Sequence, residues 1–133
     1  ELLRAQGKYA EAEPLYRRAL RINEKQLGQD HPDVALSLNN LAGLLQAHGK
    51  YTEAEPLYRR ALRINEKQLG QDHPVIAMSL NNLAELLRAQ GKYAEAEPLY
   101  RRALGIYEKL LGQDHPNTKI VRENLSYLRK QMR

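Results

Sequence analysis

The sequence predicts an all-α fold: a solenoid of antiparallel helix-turn-helix repeats with a C-terminal capping helix. Three observations predict it. The prolines form two series, Pro14, Pro56, Pro98 and Pro32, Pro74, Pro116, each stepping by 42 residues. His31, His73 and His115 keep the same step, and residues 1–42 match residues 43–84 at 35 of 42 positions. Within each period apolar residues recur at spacings of three and four, which marks helices with one buried face. A period of this size points to a repeat array rather than a domain with one compact active site. Identity this high reflects recent duplication, gene conversion or consensus design.

The whole chain, 1–133, reads as one array. It has a truncated first repeat (1–30), a second (31–72), a third (73–114) and a capping helix (115–133). Residues 1–6 match only the last part of a first helix. Helix A of the second repeat runs from about Pro32 to His48, with Leu38, Leu41, Ala42 and Leu45 on its buried face. Pro32 suits the first turn, where a missing N–H costs little, and Asp33 suits the positive helix end. Gly49 can take the left-handed conformation that closes the helix. The link Gly49-Lys50-Tyr51 is short enough to force an antiparallel hairpin. Helix B, from about Thr52 to Leu69, carries the apolar stripe Ala54, Leu57, Tyr58, Ala61, Leu62 and Ile64. Pro56 is placed close to its start, where most of its cost is avoided. Gly70 ends helix B, and Gln71-Asp72-His73-Pro74 leads into the next helix A. One hairpin cannot bury both of its apolar faces, so neighbours stack.

The last helix changes chemistry. Leu38 and Leu80 become Arg122, and Leu45 and Leu87 become Arg129. Charges at positions that would meet a following helix B suit a cap that faces water. The C-terminus reads as a natural stop and the N-terminus as a cut. Such a cut leaves apolar surface on the first helix B, and end-to-end self-association through that truncated repeat is the expected consequence.

Composition excludes several function classes. There is no Cys, hence no disulfide scaffold, thiolate metal site or cysteine nucleophile. No apolar run approaches the roughly 18 residues of a membrane span, and no signal-peptide pattern opens the chain. A cytoplasmic location is the expectation. The net charge of +5 permits an acidic partner without requiring one. Ser37 and Ser79 have no base at a defined spacing, and no Gly-rich loop could cradle a phosphate. The pairs Asp30-His31, Asp72-His73 and Asp114-His115 sit one per repeat on successive loops, without the convergent groups that a metal or catalytic site needs. Capping of helix A by Asp or His just ahead of Pro is the favoured role. His48 takes the place of Gln6 and Gln90 and reads as a surface residue. No enzyme activity, cofactor or metal is expected.

The segments Leu38-Asn39-Asn40-Leu41-Ala42, Gly49-Lys50-Tyr51, Glu53-Ala54-Glu55-Pro56-Leu57-Tyr58 and Ala61-Leu62 resemble a tetratricopeptide repeat. More narrowly, the chain is similar to the 42-residue variety of kinesin light chains and of many bacterial repeat proteins, and to a consensus-like or highly self-identical array. Leu69-Gly70-Gln71-Asp72-His73-Pro74 strengthens the likeness, which covers essentially the whole chain. The commoner 34-residue pattern matches at Ala42, Gly49, Tyr51, Ala54, Tyr58 and Ala61. It departs at Leu38, where an aromatic is usual, and at Asn65-Glu66, near the place of a proline that ends helix B. The resemblance implies a right-handed solenoid whose A helices line a concave face and whose B helices line a convex one.

It also implies where a ligand would lie. The concave candidates are Leu36, Asn39, Asn40, Gly43 and Gln46, then Met78, Asn81, Asn82, Glu85 and Arg88, then Ile120, Glu123, Asn124, Tyr127 and Lys130. Glu1 and Arg4 are remnants from the first repeat. The peptide-binding set chosen from these is Asn39, Asn40, Gln46, Asn81, Asn82, Glu85, Arg88, Asn124, Tyr127 and Lys130. An asparagine amide donates and accepts at once, as an extended peptide backbone requires. By the resemblance, Asn40, Asn82 and Asn124 would hold a ligand backbone, and Arg4, Arg88 and Lys130 would select acidic groups. The competing reading has these asparagines bonding a neighbouring helix or loop. The series Leu36, Met78, Ile120 reads as packing between adjacent A helices in preference to ligand contact. The repeats differ most tellingly at Gly43, Glu85, Tyr127 and at Gln46, Arg88, Lys130, which marks tolerant surface and a place for specificity.

Helix B carries a basic stripe: Arg17, Arg18, Arg21, Lys25, repeated as Arg59, Arg60, Arg63, Lys67. In the third repeat Gly105 replaces the third arginine. A nucleic-acid interface would use such a stripe on phosphates, but no aromatic side chains interleave it as stacking platforms. Glu13 and Glu55 precede Arg17 and Arg59 by four residues, the spacing of a solvated helix face. Nucleic acid and membrane partners are disfavoured. The favoured function is a non-enzymatic protein-interaction scaffold that binds a peptide or partner helix along the helix-A face. The alternative is a structural or self-associating array, natural or designed, with no dedicated ligand.

Overall fold

The computed structural model describes residues 2–133, with side chains from residue 5 onward. Among the described residues it contains six helices: α1 (Leu2–Leu27), α2 (Pro32–Ala47), α3 (Tyr51–Leu69), α4 (Pro74–Ala89), α5 (Tyr93–Leu111) and α6 (Pro116–Gln131). Helices α2, α4 and α6 are A-type; α3 and α5 are B-type, and α1 contains the B helix of the first repeat. The chain forms two compact units, Glu1–Gln68 and Leu69–Arg133. In the first unit α1 packs on α2, and the Tyr58 hydroxyl of α3 donates to Gln46 Oε1 of α2 at 3.0 Å. In the second unit α5 packs on both α4 and α6.

Each A-type helix starts in the same way. Of the two candidates in the Asp-His pair, histidine is the cap. His31, His73 and His115 have extended backbones, and their Nδ1 atoms accept from the backbone N–H groups of Asp33 (3.0 Å), Val75 (3.1 Å) and Asn117 (3.1 Å). Proline occupies the following first helical position, where its missing N–H is no loss. The ends of α2 and α4 are alike as well. Gly49 and Gly91 have φ of 77° and 78°. The Lys50 and Lys92 amides each reach back 2.8 Å to the carbonyls of Leu45 and Leu87. This left-handed closure satisfies carbonyls that the helix leaves open.

Helix α1 departs from the expected pattern. Gly7-Lys8-Tyr9 repeats the tripeptide of the two A-to-B links, yet α1 passes through it unbroken. Gly7 is absent from the positive-φ glycines. Helical structure continues through it to Leu27. The prolines also lie deeper than expected. Pro56 and Pro98 are past the first turns of α3 and α5, and Pro14 is well inside α1. Each removes one intrahelical N–H donor.

The core is built from repeated leucines and alanines. Leu38, Leu41, Leu45, Leu80, Leu83 and Leu87 are essentially inaccessible, as are Ala42, Ala54, Ala61, Ala84, Ala96 and Ala103. Tyr58 and Tyr100 are buried as well. Arg122 and Arg129, which stand at leucine register positions, are part-exposed and paired. Arg122 donates to Gln113 Oε1 (2.6 Å) and lies 3.7 Å from Glu108, and Arg129 Nε donates to Glu97 at 3.0 Å. Among the described residues no helix is long and apolar enough to cross a membrane.

Candidate helix-A interaction surface

Two features of each unit bear on function: the loop ahead of an A-type helix and the face that the helix presents. The loop holds a set of contacts that recurs in both units. In the first unit Arg60 of α3 donates to Gln29 Oε1 (2.6 Å) and pairs with Glu24 (2.8 Å). Lys67 reaches Asp30 Oδ2 at 2.6 Å. In the second unit Arg102 of α5 bonds Gln71, and Lys109 reaches Asp72 Oδ2 at 2.7 Å. The basic stripe is therefore largely committed. It clamps the Gln-Asp pair just ahead of the A-type helix that packs on the same B-type helix. Arg17 and Arg59 hold Glu13 and Glu55 at 3.0 and 3.1 Å, the helical pairs expected from their spacing.

On the A-type helices of the second unit, some site candidates meet one another. Asn124 Nδ2 donates to Asn81 Oδ1 at 3.2 Å, a bond between neighbouring A-type helices. The Arg88 guanidinium lies 5.6 Å from the centre of the Tyr127 ring, within reach of a cation–π attraction. Arg88 also acts on Tyr100. Burial pushes the Tyr100 pKa up, and the Arg88 guanidinium opposes the rise. Tyr127 is 56% exposed, Glu85 and Lys130 are exposed, and Asn82 is half-buried. A planar cation on an exposed aromatic ring can offer a carboxylate two parallel donors.

In the first unit the candidates have different company. Gln46 accepts from Tyr58, as above, and Gly43 leaves room for that hydroxyl: a Cβ there would lie 3.6 Å from it. Asn40 is exposed and lines a cleft of about 230 Å³ with Tyr16, Ala19 and Ser37. Asn39 is half-buried, and its Oδ1 accepts no hydrogen bond among the described residues. Leu36, Met78 and Ile120 are 56%, 40% and 52% exposed. Packing between A helices is thus not their role, because their side chains leave the helix on the side away from the leucine core. Glu1 and the Arg4 side chain lie outside the described residues.

A family model described as Tetratricopeptide repeat matches residues 1–67, 33–109 and 75–132, overlapping segments that span nearly the whole chain. The chain belongs to the tetratricopeptide repeat family. Among solved structures, it is similar to a kinesin-light-chain-like protein of Podosopora anserina with nearly identical TPR-like repeats. The identity is 31% and the TM-score 0.86, over 94% of this chain and 60% of that one. It is also similar to BtubC (BKLC) of P. vanneervenii, at 29% identity and TM-score 0.84, over 95% of this chain and 50% of that one. The chain therefore spans only 50–60% of the length of these two tetratricopeptide repeat proteins. No curated protein sequence matches it. The chain is of the kinesin-light-chain-like type, and the family is a protein-interaction scaffold, generally non-enzymatic.

Two features of this tetratricopeptide repeat chain escape a reading by helix face. The clamp was signalled only by recurrence. Gln29 to Arg60 and Gln71 to Arg102 are both 31 residues apart, and Asp30 to Lys67 and Asp72 to Lys109 both 37. The second is a change of polarity between repeats. Asn23 Nδ2 donates to Ser37 Oγ at 2.7 Å, whereas Tyr107 and Val121 at the same register are 6% and 1% exposed. The register that holds a hydrogen bond in one repeat holds a buried tyrosine and valine in another.

Proposed function

We propose that this chain is a protein-interaction module whose A-type helices bind a peptide or partner helix, with preference for acidic groups. One observation carries the reading. In the second unit Arg88, stacked against the exposed Tyr127 ring, stands on the face that also bears Asn82 and Lys130. Asparagine can serve a ligand backbone from both sides of its amide, and the two cations attract carboxylates. The half-buried Asn81 and Asn124 bond each other, so their role is to hold that face together. Two relatives with solved structures, kinesin-light-chain-like by name, support an interaction role. Each contact is modest, so affinity rests on several together.

The test is a displayed random-peptide selection against the chain, with the variant Asn82→Ala, Arg88→Ala as counter-target. Enriched acidic peptides that lose binding to the variant are the expected result. Recovery of no peptides, or of peptides indifferent to the variant, would overturn this reading in favour of a structural array.

A further inference from the structure

A preference for acidic groups leaves two carboxylates on the same face without a role. Glu85 of α4 and Glu123 of α6 are exposed, and neither forms a hydrogen bond or ion pair among the described residues. Lys130 is exposed and unpaired in the same way. Standing beside the cations, these carboxylates would repel a uniformly acidic ligand. Their place along the two helices shows what they suit instead.

Helices α4 and α6 run side by side in the same direction, since Asn81 meets Asn124 and, further along both, Arg88 meets Tyr127. Register-equivalent residues therefore stand nearly level. Met78 and Ile120 occupy the level nearest the helix starts and are 40% and 52% exposed. Arg88 and Lys130 lie ten residues further along each helix, about 15 Å away at a rise of about 1.5 Å per residue. Glu123 and Glu85 fall between, three residues beyond Ile120 and seven beyond Met78. The face thus reads apolar, acidic, basic along the helices. Its exposure belongs to the register and not to a chain end, because Met78 and Glu85 are open although α5 and α6 follow α4.

We infer that the ligand of this face is an extended segment carrying an apolar, a basic and an acidic residue at alternate positions, in that order along α4. Such a ligand presupposes the peptide site proposed above, and what it adds is the cation in the middle. Alternate residues of an extended chain point the same way, and four steps of about 3.3 Å span about 13 Å. That span matches the separation of the apolar and basic levels. The apolar side chain rests on Met78 and Ile120, the base lies between Glu85 and Glu123, and the acid meets Arg88 and Lys130. Asn82, half-buried on the same face, can serve the extended backbone from both sides of its amide. Complementary charge then fixes the register and rejects the wrong order.

The probes are two capped nine-residue peptides made of serine except at positions three, five and seven. One carries leucine, lysine and glutamate there, and the other leucine, glutamate and glutamate. Each is titrated into the intact chain by calorimetry at low salt. A plain acid preference favours the second peptide. With a base read in the middle, the first should bind about tenfold more tightly. Glu85→Gln with Glu123→Gln should abolish or reverse that preference, and high salt should shrink it. Both positions are exposed, and circular dichroism checks that helix content is retained. Asn82→Ala with Arg88→Ala should weaken both peptides. Equal binding, or tighter binding of the doubly acidic peptide, would overturn the inference and leave the acid-preferring peptide site in place. So would a preference that survives the two glutamine substitutions. Binding of neither peptide would overturn the inference and the proposed function together.

Discussion

Glu13 is engaged by two cations in the first unit. It accepts from Arg17 Nε at 3.0 Å and from Lys50 Nζ at 3.1 Å, so it ties α1 to the α2–α3 link. Arg17 first and then Lys50 hold its carboxyl below the usual glutamate range. A depressed folded pKa contributes stability that is complete above the unfolded value of about 4.3 and lost as pH falls through the folded one. Thermal midpoints measured from pH 6 down to pH 3 should therefore fall less in Glu13→Gln than in the wild type. The Asn23–Ser37 pair offers a second test at this scale. Ser37→Val alone leaves the Asn23 amide without its acceptor and should cost about 1 kcal/mol. Adding Asn23→Tyr, the combination found at Tyr107 and Val121, should recover most of that loss. A urea-unfolding double-mutant cycle measures the coupling.

Among the helices, one tripeptide has two fates. At Gly49 and Gly91, φ near +77° requires a residue without a Cβ, whereas Gly7 is helical with open space around a would-be Cβ. Gly7→Ala should stabilise α1 by about 0.5–1 kcal/mol, and Gly49→Ala should destabilise the first unit by about 1–2 kcal/mol. Equal and small changes in the urea midpoint for both would contradict these assignments. Gly105 lies in the interior of α5, exposed, with nothing within 4 Å of an added Cβ. Gly105→Ala should accordingly raise the stability of the second unit by about 0.5–1 kcal/mol, read from the same unfolding experiment.

At the scale of the molecule, association depends on what α6 shows to water. Arg122 and Arg129 keep the open side of α6 charged and bonded to Gln113, Glu108 and Glu97. Replacing both with leucine, the residue found at that register in α2 and α4, creates a contiguous apolar stripe beside Leu125. Such patches mark association sites. Light scattering of Arg122→Leu, Arg129→Leu should show a mass that rises with concentration more steeply than that of the wild type. The surface pairs removed are worth little in folding, so the variant should remain folded.

Much of this architecture is legible in the primary structure. The period, the A and B helices, the histidine-proline starts and the buried Leu38, Leu41, Ala42 and Leu45 all follow from spacing and local preference. Side chains three and four apart must share a helix face whatever else surrounds them. Only the tertiary structure decided the rest. Whether Gly-Lys-Tyr turns, as at Gly49 and Gly91, or continues, as at Gly7, is not set by the tripeptide itself. Whether a tyrosine at one register is buried like Tyr100 or open like Tyr16 depends on which helix lies across it. That Arg60 and Lys67 serve the loop ahead of α2, rather than a ligand, depends on packing between residues 31 and 37 positions apart. Such contacts form only when the hairpins close, because no local spacing rule reaches that far along the chain.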